Sequence, residues 1–265
     1  RCPVDGTVFG RVAGVWQCLR PERVAYFAQF VKEYGTVRRD EGWGDDGPSY
    51  YRALPFVDST DRFRRIWQIR AISFRTLLEC VVYPLEERLR RPLKVLDLGT
   101  GNGWLAYRLA ALGHLVAAVD LSVDDRDGLG AHRHYDVDFA PIQAEFEHLP
   151  LAAAQVDLAV FNASLHYATD YRTTLGETLR VLSASGQVVI MDSPIYRDGG
   201  SGARMVRDRE SQFRRRYGFP SNALRCENYL TYVRLDDLAS ALDLRWRIVA
   251  PSYGWRWAVR LWRAR

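Results

Sequence analysis

Lys94-Val95-Leu96-Asp97-Leu98-Gly99-Thr100-Gly101-Asn102-Gly103-Trp104 decides the reading of this chain. A short Val- and Leu-rich run meets three glycines at alternate positions, and Trp104-Leu105-Ala106-Tyr107-Arg108-Leu109-Ala110 then repeats apolar groups at helical spacing. The pattern predicts strand, tight turn and helix. Glycine suits such a turn because it tolerates positive φ and lets a ligand approach the backbone. A dinucleotide loop needs the pattern G-x-G-x-x-G, but here the third glycine comes one residue early and Trp104 stands in its place. Asp97 lies inside the apolar strand, two residues before Gly99. A desolvated carboxylate needs a partner, and a pyrophosphate would repel it. The expected ligand carries positive charge.

The segment resembles motif I of the class I S-adenosylmethionine-dependent methyltransferases, in particular the methyltransferase type 11, ubiquinone/menaquinone-methyltransferase-like group. Three further segments follow in the order of that family. Val116-Ala117-Ala118-Val119-Asp120 reads as a strand ending in an acid, which the resemblance places on the ribose hydroxyls. Glu145-Phe146-Glu147-His148-Leu149-Pro150 resembles the adenine-cradling segment, with Glu145 as acceptor for the exocyclic amine and the Phe146 backbone facing the ring. Val156 to His166 resembles the fourth strand and its catalytic-face loop. The resemblance implies S-adenosyl-L-methionine as cofactor, held by Asp97, Gly99, Thr100, Gly101, Asn102, Gly103, Asp120, Leu121, Glu145, Phe146 and Asn162. It also implies a Rossmann-like, doubly wound α/β fold, with a seven-stranded, mostly parallel sheet and a C-terminal antiparallel hairpin.

Three regions separate along the chain. Residues 1–20 read as a small β element and residues 21–91 as helical, together an N-terminal extension over 1–91; residues 92–265 form the cofactor-binding domain. Pro21 suits a first helical position, and Val24, Phe27, Phe30, Val31 and Tyr34 share one face before Gly35 interrupts. Glu41–Pro55 reads as loop. A longer helix starts near Ser59 or Thr60, with Pro84 kinking or ending it. Thr174–Leu182 and Leu235–Leu242 read as helices, and Gln187–Asp192 as a strand after the turn Ser185-Gly186. Alternation at Trp246, Ile248 and Ala250, then at Trp255, Trp257, Val259 and Leu261, predicts the closing hairpin.

With 265 residues, 48% of them apolar, the chain can bury a full core. No window of eighteen apolar residues offers a membrane span. The net charge of +5 is almost wholly arginine, since Lys32 and Lys94 are the only lysines; nucleic acid is not inferred from it. Cys2, Cys18, Cys80 and Cys226 are too dispersed for a disulfide framework and suggest a reducing, cytoplasmic compartment. Cys2-Pro3-Val4-Asp5 resembles half a zinc ribbon, but Asp5 stands where the second thiolate belongs and no second pair follows Cys18, so no metal is expected.

Ligands of open α/β sheets bind beyond the carboxyl ends of the strands, which directs attention to Asn162, Ser164, His166, Tyr167, Asp192, Ser193 and Tyr196. Methyl transfer needs a base only if the acceptor must lose a proton early; His166 is then the candidate, the other reading being a histidine that caps a helix or shapes the pocket. Tyr167, Tyr171, Tyr196 and Arg204 are the candidate acceptor contacts. The glycines at 199, 200 and 202, followed by an Arg-rich helix, suggest a lid from which Arg204, Arg207 or Arg214 could meet an anionic acceptor, or else a solvated helix face. Tyr50, Tyr51 and Arg52 are candidates to cover the cofactor. The expected activity is methyl transfer to a small-molecule acceptor. Two alternatives stay open: an RNA methyltransferase, with Trp255 to Arg265 as its basic aromatic stretch, and a cofactor-binding protein that transfers no methyl. The oligomeric state is not legible.

Overall fold

The computed structural model describes residues 6, 8–45 and 47–254. Strands β1 (Gly10–Val12) and β2 (Val15–Gln17) form a hairpin. Helix α1 (Pro21–Glu41) follows, ended by Gly42, whose φ of 80° turns the chain and whose N–H reaches the Arg39 carbonyl at 3.0 Å. Gly35 does not interrupt it. A glycine inside a helix costs about 1 kcal/mol, less than the burial of Val37 and the Arg38–Asp127 ion pair one turn further on provide. The expected loop contains a short helix, α2 (Pro48–Ala53). Helix α3 (Arg64–Leu77) starts later than Ser59 or Thr60, because Asp58 holds a turn there by accepting from the Thr60 and Phe63 backbone N–H groups. The regular α-helix ends at Leu77, ahead of Pro84. A widened helical turn over Leu78–Val82 leads into α4 (Tyr83–Leu89), so the proline falls in a first turn, where its missing N–H is harmless.

The rest alternates. Strand β3 (Lys94–Leu98) leads to α5 (Trp104–Ala111), then β4 (Leu115–Asp120), β5 (Ala140–Gln143), β6 (Val156–Asn162), α6 (Tyr171–Val181) and β7 (Leu182–Met191). A two-stranded sheet of β8 (Ile195–Tyr196) and β9 (Leu230–Thr231) carries α7 (Gly199–Tyr217) and α8 (Tyr232–Leu242). The main sheet runs β1-β2-β5-β4-β3-β6-β7, parallel except for β1 against β2. The antiparallel element of the sheet is thus N-terminal. Trp246, Ile248 and Ala250 lie in non-strand backbone, and the second half of the expected C-terminal hairpin, like Cys2 and the Trp255–Arg265 stretch, falls outside the described residues.

Strand alternation explains the layers. Val95 of β3 packs with Trp67, Trp104 and Leu158 on one side, while Leu96 and Leu98 pack with Phe161, Leu165 and Leu175 on the other. The first layer draws Trp43, Tyr50, Tyr51 and Leu54 from the N-terminal third, which therefore shares a core with the sheet. Strand β7 begins at Leu182, so Ser185-Gly186 lies within it rather than in a turn before it, with a register shift opposite Val156 and Leu158. The glycines before α7 also differ from expectation. Gly199 opens the helix under an Asp198 cap, and Gly202 abuts the Tyr229 ring, where any Cβ would collide.

At the amino end of the central strands, the nearly inaccessible Asp157 carboxylate accepts from Arg91 at 2.7 and 2.8 Å and from the Lys94 N–H at 2.8 Å. Burial works to raise its pKa, but these partners together hold it below the usual carboxylate value. Asp157→Asn is expected to cost about 1–3 kcal/mol in urea unfolding at neutral pH. The carboxylate's contribution is present above its unfolded value near about 3.9 and is lost as pH falls through the lower folded one. The difference between wild type and variant should therefore shrink on strong acidification.

Candidate active site

The chain order reverses at β3, with β4 and β5 to one side and β6 and β7 to the other, so a crevice opens beyond the carboxyl ends of β3 and β6. The glycine turn sits there. Gly99, Gly101 and Gly103 have φ of 74°, 57° and 83°, but their surroundings differ. A Cβ on Gly99 would overlap the Ser164 side chain and one on Gly103 would meet Phe139 at 2.8 Å, whereas one on Gly101 would meet nothing within 4 Å. Two of the glycines allow close packing, and the middle one faces open space.

Two acids hold this turn. Asp97 is fully buried beneath it, with Oδ2 accepting from Thr100 Oγ1 at 2.6 Å and Oδ1 without a hydrogen-bond partner among the described residues. Burial pushes its pKa up to about 7. Asp120, at the tip of β4, accepts from the Gly101 N–H at 2.8 Å and from the Ser122 N–H at 2.9 Å. Burial raises its pKa, and the backbone donors oppose that shift.

The open space is a cleft that opens to solvent, with about 810 Å³ between its walls and mouth. Gly99, Gly101, Asp120 and Leu121 line its sheet side, with Phe146, Ala163 and Ser164 beside them. Phe27, Phe30, Val31 and Tyr34 of α1 line it as well, an i, i+3, i+4, i+7 stripe. Its charge is one-sided. Asp120, Asp127, Glu145 and Glu147 are among the lining residues, and no lysine or arginine is. Glu145 is held by Arg23, whose Nε lies 2.9 Å from both carboxylate oxygens, and Asp127 accepts from Arg38 Nη2 at 3.0 Å. Asp120 has backbone donors only, and Glu147 accepts from Thr169 Oγ1 at 2.6 Å.

Among the residues expected from sequence, Gly99, Gly101, Asp120, Leu121, Glu145, Phe146 and Tyr167 meet at this cavity. The others take supporting or separate places. Thr100 bonds Asp97, Asn102 Oδ1 accepts from the Trp104 N–H at 3.3 Å, and Gly103 precedes α5. Asn162 ends β6 with a buried Oδ1 that has no partner. Arg23 engages both Glu145 oxygens, which leaves an adenine amine the carboxylate's remaining lone pairs. Tyr171 donates to the Tyr229 carbonyl at 2.9 Å, Tyr196 packs edge-on against Tyr229, and Arg204 lines a shallow recess on α7. Tyr50 and Tyr51 are core residues, and Arg52 Nε donates to the His134 carbonyl at 2.9 Å; none of the three lines the cavity. The roof is α1 instead. Its stripe was visible in the sequence, but an apolar helical face reads the same whether it covers a core or a cavity.

His166 is 6% exposed, its Nδ1 has no partner, and it does not line the cavity. Burial first, and then the nearby charge of Arg209, push its pKa down to about 3. So weak a base holds no proton at neutral pH and gains little by accepting one. In the unfolded chain the imidazole titrates near about 6.5. The unfolded state therefore takes up a proton first, and the contribution of the neutral ring is full above that value and is lost as pH falls toward 3. Thermal denaturation of His166→Gln should show a flatter dependence of Tm on pH across that window than wild type; an unchanged slope would contradict the buried, neutral ring.

Comparison with known proteins agrees with this site. Residues 96–190 match the model of the family described as a methyltransferase domain. A malonyl-(acyl-carrier protein) O-methyltransferase of Erwinia billingiae is 35% identical over 100 residues, 38% of this chain and 39% of that protein. A dimethylglycine N-methyltransferase of Parasynechococcus marenigrum is 34% identical over 112 residues, 40% of this chain and 39% of that protein. The chain thus spans about two fifths of the length of these relatives. The solved structure of a protein provisionally assigned as a sarcosine dimethylglycine methyltransferase, from Galdieria sulphuraria, shares the fold with a TM-score of 0.50 at 16% identity, over 79% of this chain and 73% of that one. The matched segment carries the glycine turn, both strand-tip acids and the β6 loop, and is similar over residues 96–190 to a methyltransferase domain.

Proposed function

We propose that this chain transfers a methyl group from S-adenosylmethionine to a small-molecule acceptor. The observation that carries this reading is the charge of the cavity: four carboxylates line it, Glu145 and Asp127 paired with arginines and Asp120 and Glu147 in no ion pair among the described residues, and no basic side chain lines it, in a chain of net charge +5. A phosphate-bearing coenzyme would be repelled there, while a ligand with a sulfonium and an ammonium is favoured. The shape agrees, since Gly101 leaves room against the backbone and Asp120 keeps lone pairs beyond those used by Gly101 and Ser122.

Asp120 would hold the ribose hydroxyls, with Leu121 and Phe146 supplying apolar walls for the adenine. When bound, the cofactor supplies an electrophilic methyl on sulfur, and transfer is an in-line displacement. The protein's part is to orient the reactants, which can account for roughly 7–11 kcal/mol of barrier. Phe30, Val31 and Tyr34 exclude water from above, and Ser164, whose Oγ donates to the Leu98 carbonyl, fixes the β6 loop against the turn. The names of the two relatives span an oxygen and a nitrogen acceptor, so what they support here is the donor chemistry. None of the described helices is long and apolar enough to cross a membrane. Cys18, Cys80 and Cys226 are unpaired, which supports a reducing, cytoplasmic setting.

Methyl-labelled S-adenosylmethionine incubated with a metabolite panel should pass label to a small acceptor, whereas cofactor binding without any transfer would reduce the protein to a binder. Calorimetry with S-adenosylhomocysteine separates the parts of the site. Asp120→Ala is expected to lose about one to two orders of magnitude in affinity. Two glycine variants should divide stability from binding. Gly99→Ala is expected to destabilise the fold by about 1–3 kcal/mol, whereas Gly101→Ala should keep the fold with a cost of about 1 kcal/mol and bind S-adenosylhomocysteine on the order of tenfold more weakly.

A further inference from the structure

A second cavity, of about 570 Å³, lies beside the first and shares Phe30, Tyr34 and Tyr167 with it as a common wall. Helix α1 bounds it on one side; α7 and the loop after α7 bound it on the other. That loop reaches both spaces, since Leu224 lines the first cavity and Ser221 and Asn222 line the second.

The charge character changes across the shared wall. Two arginines, Arg38 and Arg209, line the second cavity together with two carboxylates, Glu33 and Glu41, whereas no arginine lines the first. Arg38 is neutralised by Asp127. Arg209 is not: its Nε donates to Ser221 Oγ at 3.2 Å and its Nη2 to Asn228 Oδ1 at 2.7 Å, both neutral, and no ion pair forms on it among the described residues. Its field is felt at the wall, where it opposes the rise that burial causes in the Tyr167 pKa. An arginine so placed, half-buried and without a counter-ion, is poised to hold a carboxylate in bidentate fashion. Across the same space Glu33 presents an oxygen, Oε2, that is buried and has no hydrogen-bond partner, while its Oε1 accepts from Gln29. That oxygen can take an N–H or O–H.

Resting on the cofactor reading above, we propose that the second cavity is the acceptor's site and selects a small amino or hydroxy acid, its carboxylate anchored by Arg209 and its N–H or O–H group received by Glu33. The two cavities then divide the reactants by charge, cation in the acidic one and carboxylate beside the arginine. Phe30, Tyr34 and Tyr167 border both spaces, and the acceptor atom must pass their edges to meet the methyl. Arg209 selects the acceptor; it is not asked to move a proton.

The test uses protein saturated with S-adenosylhomocysteine and five probes, titrated by calorimetry: salicylate, anthranilate, their amides salicylamide and anthranilamide, and benzoate. The acids are expected to bind on the order of tenfold more tightly than the amides. Arg209→Gln should remove that preference and Arg209→Lys should keep part of it, with S-adenosylhomocysteine affinity unchanged in both. Glu33→Gln should weaken anthranilate and leave benzoate unaffected. Acids that bind no better than amides, while S-adenosylhomocysteine binds normally, would overturn the acceptor assignment. Failure of S-adenosylhomocysteine itself to bind would instead overturn the cofactor reading.

Discussion

The Asp120 carboxylate links two pieces of backbone on which the crevice depends. It accepts from the Gly101 N–H and the Ser122 N–H, and so ties the glycine turn after β3 to the chain leaving β4. Without it, the middle of the turn, which has no side chain of its own to pack, would be positioned only by its ends. The link has an electrostatic consequence. A carboxylate that is buried and opposed by neutral donors alone keeps much of its charge unbalanced, and the neighbouring Glu147 is also without a basic partner. The crevice is therefore built to be negative before any ligand arrives.

Around that point the fold manages charge by position. Arginines stand where they neutralise acids that would otherwise add to the field: Arg23 on Glu145 and Arg38 on Asp127, both from α1, the helix that also roofs the cavity. Helix α1 thus does two things at once. Its apolar stripe closes the space, and its basic residues trim the charge beneath it. Arg209, approaching from α7, has neutral hydrogen-bond partners only, on the far side of Phe30, Tyr34 and Tyr167 in a space that Glu33 and Glu41 also line.

The parallel sheet and the turn were legible because both follow from local chemistry. Buried strands read as Val- and Leu-rich runs, and alternate glycines mark a turn that needs the positive φ other residues avoid. Asp120 was legible for the same reason: an acid at the end of an apolar strand must face something polar. What the sequence did not reveal depends on contacts between distant segments. The engagement of Glu145 by Arg23 spans 122 positions, and the depressed pKa of His166 arises from burial beneath groups that its own neighbours do not announce. Tyr50 and Tyr51 read as loop residues that cover the cofactor but are core, because α2 forms where a glycine- and proline-rich stretch suggested none. Among the many arginines of α7, spacing alone could not single out Arg209; only the fold shows which one turns inward.

The most direct measurement is a crystal structure with S-adenosylhomocysteine bound. The ribose hydroxyls are expected on the Asp120 carboxylate, the adenine between Leu121 and Phe146, and the thioether sulfur at the glycine turn. Density for the nucleoside outside this crevice, or a ribose that makes no contact with Asp120, would contradict it.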